Sequence, residues 1–237
     1  MREDGIQMLL ERYPGKVRDL EDYRQAVRIF DDRAHAGRVL AGLLEDFRDA
    51  SAVVLAVPAG GVPVGVRLAS ELSLPVDVAV VSKITLPSNT EVGCGAVAFD
   101  GTVELNQPLI RSIGLRGEQL HDRIDRTRSK VERRRQILRP PGQRPIVEGK
   151  TAILVDDGLA SGFTMRVAAL AVRSIRPSRV IVAVPTAPAS TIDALAGEVD
   201  EVRCVNIRSG ARFAVADAYR NWRDVPETEA IECLRNA

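Results

Sequence analysis

Between residues 31 and 51 the apolar positions fall on a single helical stripe. Ala36, Val39, Leu40, Leu43, Leu44 and Phe47 recur at i, i+3 and i+4 spacing behind Asp31 or Asp32, either of which can cap the first turn. This predicts a helix that ends before Ser51. Downstream the period changes to short β-branched runs at 52–57, 77–81, 152–155, 180–184 and 202–207. Most are continuously apolar rather than alternating, which marks strands covered on both faces and hence a parallel sheet. Helical patterns at 64–72, 117–138, 164–175 and about 189–195 fill the intervals. Strand and helix therefore alternate, and the expected class is α/β, a doubly wound, mainly parallel sheet of about five strands with helices on both faces.

Two segments break that rhythm. Residues 96–105, AVAFDGTVEL, place Asp100-Gly101 between two short apolar runs, which predicts an antiparallel hairpin near 96–106 because Asp-Gly tolerates the positive φ angles of a tight primed turn. The preceding stretch, 85–95, is rich in Pro, Ser, Asn and Gly and is expected to be a mobile loop. Residues 1–30 are polar with short apolar patches, and are expected to form one or two small helices packed as an extension on a main domain covering 31–237.

Composition narrows the functional classes. A chain of 237 residues with 45% hydrophobic and 27% charged content is long enough for a well-buried core. Its 33 basic and 32 acidic side chains leave a formal charge of +1, so no whole-molecule field would recruit nucleic acid or an anionic membrane. The helical segment 117–138 is locally basic, but its acids are interspersed, as on a solvated face. The longest apolar stretch, 50–66, is interrupted by Pro58, Gly60, Gly61 and Pro63 and cannot span a bilayer as a helix. Three separated cysteines, Cys94, Cys204 and Cys233, support neither a disulfide framework nor a zinc site, and the N-terminus lacks a signal-peptide core, so a cytoplasmic location is expected. With only His35 and His121 present, any metal would be a hard cation on oxygen ligands.

The segment carrying the most chemistry is 153–164, ILVDDGLASGFT. An apolar strand ends on two adjacent carboxylates, Asp156 and Asp157, and a loop of small residues then runs into a helix. That order puts the loop at the carboxyl edge of a parallel sheet, where open α/β folds bind ligands. The unpaired amides and dipole of the following helix attract an anion, Ser161 and Thr164 add hydroxyls, and Gly162 lets backbone come close. The GK[ST] ending of a Walker loop is absent. Asp156 and Asp157 are acceptors only, suited to sugar hydroxyls or to the shell of a Mg ion. A phosphate on one side and a diol on the other describe a ribose 5-phosphate.

On these residues the chain resembles the type I phosphoribosyltransferases, whose phosphoribosyl pyrophosphate (PRPP) loop has the same strand, acid pair and Ser/Thr-Gly-x-Thr ending. The resemblance extends over roughly 31–210 and is nearest to a bacterial and archaeal subgroup of unsettled assignment. It implies that Asp156 and Asp157 line the ribose hydroxyls and hold Mg, directly or through water, and that Ala160, Ser161, Gly162, Phe163 and Thr164 wrap the 5-phosphate. VPAGGVP, 57–63, is similar to the family's pyrophosphate loop, which implies a pyrophosphate site at Ala59, Gly60 and Gly61, with Ala59 standing where an arginine is usual. Lys83, at the end of the second predicted strand, matches a lysine near the pyrophosphate, and 85–95 takes the place of the flexible catalytic loop, with Glu91 as a candidate for base contact or proton transfer. The purine-type aspartate is absent at Ala160.

The implied activity is transfer of a phosphoribosyl group from PRPP to a nucleobase or related nitrogen acceptor, in a homodimer that needs neither membrane nor nucleic acid. The alternative is a PRPP- or nucleotide-binding regulatory protein without turnover, motivated by Ala59. Three competing readings fit less well. A phosphoacceptor receiver carries its acids on the first strand of a roughly 120-residue fold, a dinucleotide fingerprint at 93–98 would have to open a helix, and a capped turn needs no acid pair. Phe213, Tyr219 and Trp222 are either core for the C-terminal segment or a stacking wall for a base, and Cys94 in the loop is a candidate reactive thiol.

Overall fold

The computed structural model describes residues 4–86, 93–139, 146–210 and 212–237. In chain order the elements are α1 (Asp4–Arg12), β1 (Val17–Asp19), α2 (Arg33–Leu43), β2 (Ala52–Ala56), α3 (Gly61–Leu72), β3 (Val76–Val78), β4 (Val81–Thr85), β5 (Gly93–Ala98), β6 (Val103–Leu105), α4 (Gln107–Ser112), α5 (Gly117–Leu138), β7 (Thr151–Val155), α6 (Phe163–Ser174), β8 (Arg179–Pro188), α7 (Ala189–Ala196), β9 (Glu201–Arg208) and α8 (Glu227–Arg235). Six strands form one wholly parallel sheet in the order β1-β9-β8-β7-β2-β3, and β4-β5-β6 form a small antiparallel sheet.

The continuously apolar strands behave as expected of a sheet covered on both sides. Along β7, Ala152 and Leu154 pack with α6, while Ile153 and Val155 pack with α2 and α3. A third apolar cluster lies between the small sheet, α5 and α8. There Val131 and Leu138 of α5 are buried and Leu120 and Ile124 are partly buried, so the predicted stripe of this long helix is its packing face. Among the described residues no helix is long and apolar enough to cross a membrane.

Four expectations need correction. The extension 1–30 contributes a strand as well as a helix: β1 pairs in parallel with β9 and makes the sheet six-stranded rather than five. Its three residues are too few for a readable alternation. The run 77–81 is not one strand, because β3 stops at Val78 and β4 starts at Val81. Between them Ala79 and Val80 are buried while the chain leaves one sheet for the other, so apolar continuity recorded burial rather than pairing. The segment 85–95 is shortened from both ends, with Thr85 in β4 and Gly93 to Gly95 in β5. Cys94 is accordingly a buried strand residue whose thiol donates to the Ile84 carbonyl at 3.3 Å, and burial pushes its pKa up, away from reactivity. Glu91 lies outside the described residues.

Candidate functional site

The sheet order fixes where a ligand can sit. From β2 the chain crosses through α3 outward to β3, whereas from β7 it crosses through α6 the opposite way to β8, so the crevice opens between the carboxyl ends of neighbouring β2 and β7. These strands are in level register, Ala56 opposite Val155, and the Val57 amide donates to the Val155 carbonyl at 2.8 Å. The Gly-Gly loop and the Asp-Asp loop therefore leave the sheet side by side.

Their contact explains the glycine pair. A Cβ on Gly60 would lie 2.2 Å from Oδ2 of Asp157, and one on Gly61 would lie 2.6 Å from the Val155 carbonyl oxygen and 2.9 Å from Cα of Asp156. Only hydrogen side chains let the two loops touch. The Gly61 amide is consumed inside the turn, donating to the Val57 carbonyl at 3.0 Å, while the amides of Ala59 and Gly60 have no acceptor among the described residues. The arrangement expected from the sequence, with both glycine amides offered outward, thus reduces to Gly60 with its neighbour Ala59.

The loop from Asp156 to Gly162 is pinned from behind. The Leu159 amide donates to the Thr186 carbonyl at 3.0 Å, and the Thr191 hydroxyl of α7 donates to the Ala160 carbonyl at 2.6 Å. Gly162 caps α6 at φ 71°, and a Cβ there would strike Thr191 Cγ2 at 2.6 Å. Held through the Leu159 amide and the Ala160 carbonyl, the loop leaves the amides of Ala160, Ser161, Gly162, Thr164 and Met165 without acceptors among the described residues, and the Phe163 amide makes only a long 3.4 Å contact with Ser161 Oγ. Open amides at a helix start have the chemistry to receive an anion without any lysine.

A cavity of about 350 Å³ joins the predicted parts, lined by Lys83, Asp156, Asp157, all of residues 158–165, Val215 and Trp222. That is within the range of small-molecule sites. Lys83 is the residue whose element was misjudged: it belongs to β4 of the small sheet, not to a parallel strand, and is an exposed residue lining the same cavity as the acids. Ala59, Gly60 and Gly61 support the floor through the acid pair rather than lining the cavity wall.

Electrostatics of the pair are asymmetric. Burial, with the neighbouring charge of Asp157 second, drives the Asp156 carboxyl well above the usual carboxylate range. Burial also raises Asp157, but Arg33 opposes it: Nε and Nη2 reach Asp157 Oδ2 at 2.8 and 2.7 Å. Arg33 lies flat over Trp222, 4.1 Å from the ring centroid, and donates Nη1 to the Arg223 carbonyl at 2.8 Å. Tyr219, almost wholly buried, donates its hydroxyl to the Asp157 carbonyl at 2.5 Å. The aromatic segment thus divides, with Tyr219 in the core and Trp222 38% exposed at the cavity edge. Phe213 lies apart from them, under the guanidinium of Arg208.

Arg33, Thr186, Thr191 and Val215 were not singled out from sequence. Arg33 looked like the first residue of an ordinary helix, and nothing local signals that it faces a carboxylate 124 residues away.

Among the described residues no cluster of three or more His, Cys, Asp or Glu converges on a metal position. Two half-buried carboxylates do suit a Mg ion that arrives with phosphate oxygens and keeps its waters, since that ion rarely uses an all-protein cage.

Comparison with known proteins places the chain in a family. The chain is 35% identical over 212 residues to "Putative phosphoribosyl transferase Rv0571c" of Mycobacterium tuberculosis H37Rv, and equally to its counterpart in strain CDC 1551; the match takes in 89% of this chain and 47% of each relative, so the chain spans about half their length. The crystal structure of TT1426 from Thermus thermophilus superposes with a TM-score of 0.68 at 32% identity, covering 87% of this chain and 98% of that one. The family model described as "Phosphoribosyl transferase domain" matches residues 28–218, which take in α2, both crevice loops and Tyr219's neighbour Ala218; this chain belongs to that family.

Proposed function

We propose that this chain transfers a phosphoribosyl group from PRPP to a nitrogen acceptor, a nucleobase or related ring, releasing pyrophosphate. The observation that carries the reading is the convergence, around one cavity, of an amide cradle at the start of α6, a half-buried acid pair and Lys83. The 5-phosphate fits the amides of 160–165, where each charge-assisted hydrogen bond contributes on the order of 1.5–3 kcal/mol. Asp156 and Asp157 accept from the ribose hydroxyls and face the ring as positive charge grows on it. Bound Mg supplies charge to the departing diphosphate. Lys83, which lines the cavity of the acids, and the Ala59 and Gly60 amides are the chain's own groups for that leaving group. No covalent nucleophile is needed. The proton lost by the acceptor passes to solvent or to Glu91, the candidate that the sequence supplies for it.

The test is calorimetric titration of PRPP with Mg into the native chain and the Asp156→Asn/Asp157→Asn double variant, followed by pyrophosphate release over a panel of nucleobases. Binding that the double variant loses, together with release for at least one base, is expected. Equal binding by both proteins would overturn the site. A second reading, a PRPP-binding regulator, is favoured by Ala59, which leaves the pyrophosphate loop without its usual cation. Binding without release across the panel would select it.

A further inference from the structure

The loop between β2 and α3 lacks a cation, yet a guanidinium lies against it from another element. Oδ2 of Asp157, 2.2 Å from where a Gly60 Cβ would stand, is the atom that Arg33 grips through Nε and Nη2. Arg33 starts α2 directly after its cap Asp32, so the helix fixes its backbone. Trp222 beneath and the Arg223 carbonyl at its edge fix its head.

Arg33 also lines a second cavity, of about 650 Å³, with Pro63 in the first turn of α3, after the Gly-Gly loop, and with Trp222, which borders both cavities. The other two arginines of that wall are neutralised by carboxylates close by, Arg220 by Asp31 and Arg223 by Glu229, each at 2.6 Å. Arg33 differs. Its carboxylate partner belongs to the ribose side of the crevice, and of its five N–H donors one on Nη1 and one on Nη2 have no acceptor among the described residues. A guanidinium on a residue only 8% exposed that keeps one donor on each terminal nitrogen beside an open cavity is equipped to hold two oxygens of a phosphate.

We propose that Arg33 is a second leaving-group cation of this chain, beside Lys83: it binds the diphosphate of PRPP in place of the arginine that Ala59 displaces, while its other edge holds Asp157 at the ribose. This assignment rests on the PRPP reading above. It relocates the charge from the loop to the helix packed behind it, and it makes the same residue set the ribose acid and the departing group.

Affinity for PRPP relative to ribose 5-phosphate, both with Mg, isolates the diphosphate contribution, because a merely structural role for Arg33 would weaken both ligands together. In Arg33→Gln the ratio is expected to fall about 10- to 100-fold from the native value, the range for loss of charge-assisted hydrogen bonds. Arg33→Lys, which keeps a point charge and is the safer variant for folding, should restore part of the ratio, and both variants should bind inorganic pyrophosphate more weakly than the native chain. A native ratio in Arg33→Gln and Arg33→Lys overturns the assignment and leaves the PRPP site standing. A native chain that binds neither ribose 5-phosphate nor PRPP overturns the site itself, and this assignment with it.

Discussion

At the scale of single residues the crevice stores a conflict between two neighbouring carboxyls. Asp156 and Asp157 stand together where Arg33 compensates one of them, and burial keeps Asp156 protonated well above the usual range. A carboxyl whose pKa rises on folding adds stability that is complete below its unfolded value, near 4, and disappears as pH climbs through the raised folded value. Above the unfolded value, and so at neutral pH, the empty protein therefore carries a penalty at this carboxyl. Asp156→Asn should raise the unfolding midpoint at pH 7, by about 2–4 °C for each kcal/mol recovered, and the two proteins should converge toward pH 4. Thermal melts across that range check it, and a variant less stable than native at pH 7 would show that the charge is already compensated. The same substitution should abolish PRPP binding, a trade of stability for function. Gly61→Ala acts oppositely on stability. Its methyl would press on the backbone of Val155 and Asp156, which cannot yield as a side chain tip can, so a loss of about 1–3 kcal/mol by urea titration is expected along with weaker PRPP binding.

At the scale of elements, legibility followed the length of the pattern. α5 and α2 were readable because several apolar positions had to agree with one period, and β7, β8 and β9 because burial on both faces wrote continuous β-branched runs. The anion cradle was readable because it is wholly local: strand end, acids, small loop and helix start are consecutive. What could not be read is what is held by distant partners, namely the three-residue β1, the crossing from β3 to β4, and Arg33, whose carboxylate is far along the chain. The N-terminal elements nonetheless have an energetic role. Ile6, Leu9 and Val17 are buried against the sheet, and the β9 edge is covered by β1, with the Val202 amide donating to the Lys16 carbonyl at 2.8 Å. Deleting residues 1–20 would expose that edge and forfeit about 1.5–3 kcal/mol for each buried aliphatic side chain. Size-exclusion chromatography and thermal melts should find a destabilised, self-associating chain, and a monomer melting as the native protein does would refute the assignment of β1 to the sheet.

Across the whole molecule the C-terminal segment closes a loop of interactions that runs through the site. Residues 217–221 lie beside 28–31, with the Phe30 amide donating to Ala218 and the Arg220 amide to Phe30, so the tail is carried to the start of α2. From there Tyr219 bonds the Asp157 carbonyl, Trp222 supports Arg33, and Val215 and Trp222 complete the cavity wall beside Lys83 of the other sheet. A ligand seated on the acid pair touches the tail directly and should order it, because Val215 and Trp222 lose their access to solvent once the cavity fills. Helix α5 is distant in this sense: the ion pairs of its basic residues are with acids of its own or with Glu227 on α8, and its apolar stripe packs on the small sheet. Hydrogen exchange with and without PRPP and Mg should therefore show slowed exchange at 157–165 and at 212–223 together, with α5 unchanged. Protection confined to 157–165 would mean that the tail is passive packing, in which case Trp222 neither borders the bound ligand nor couples to it through Arg33.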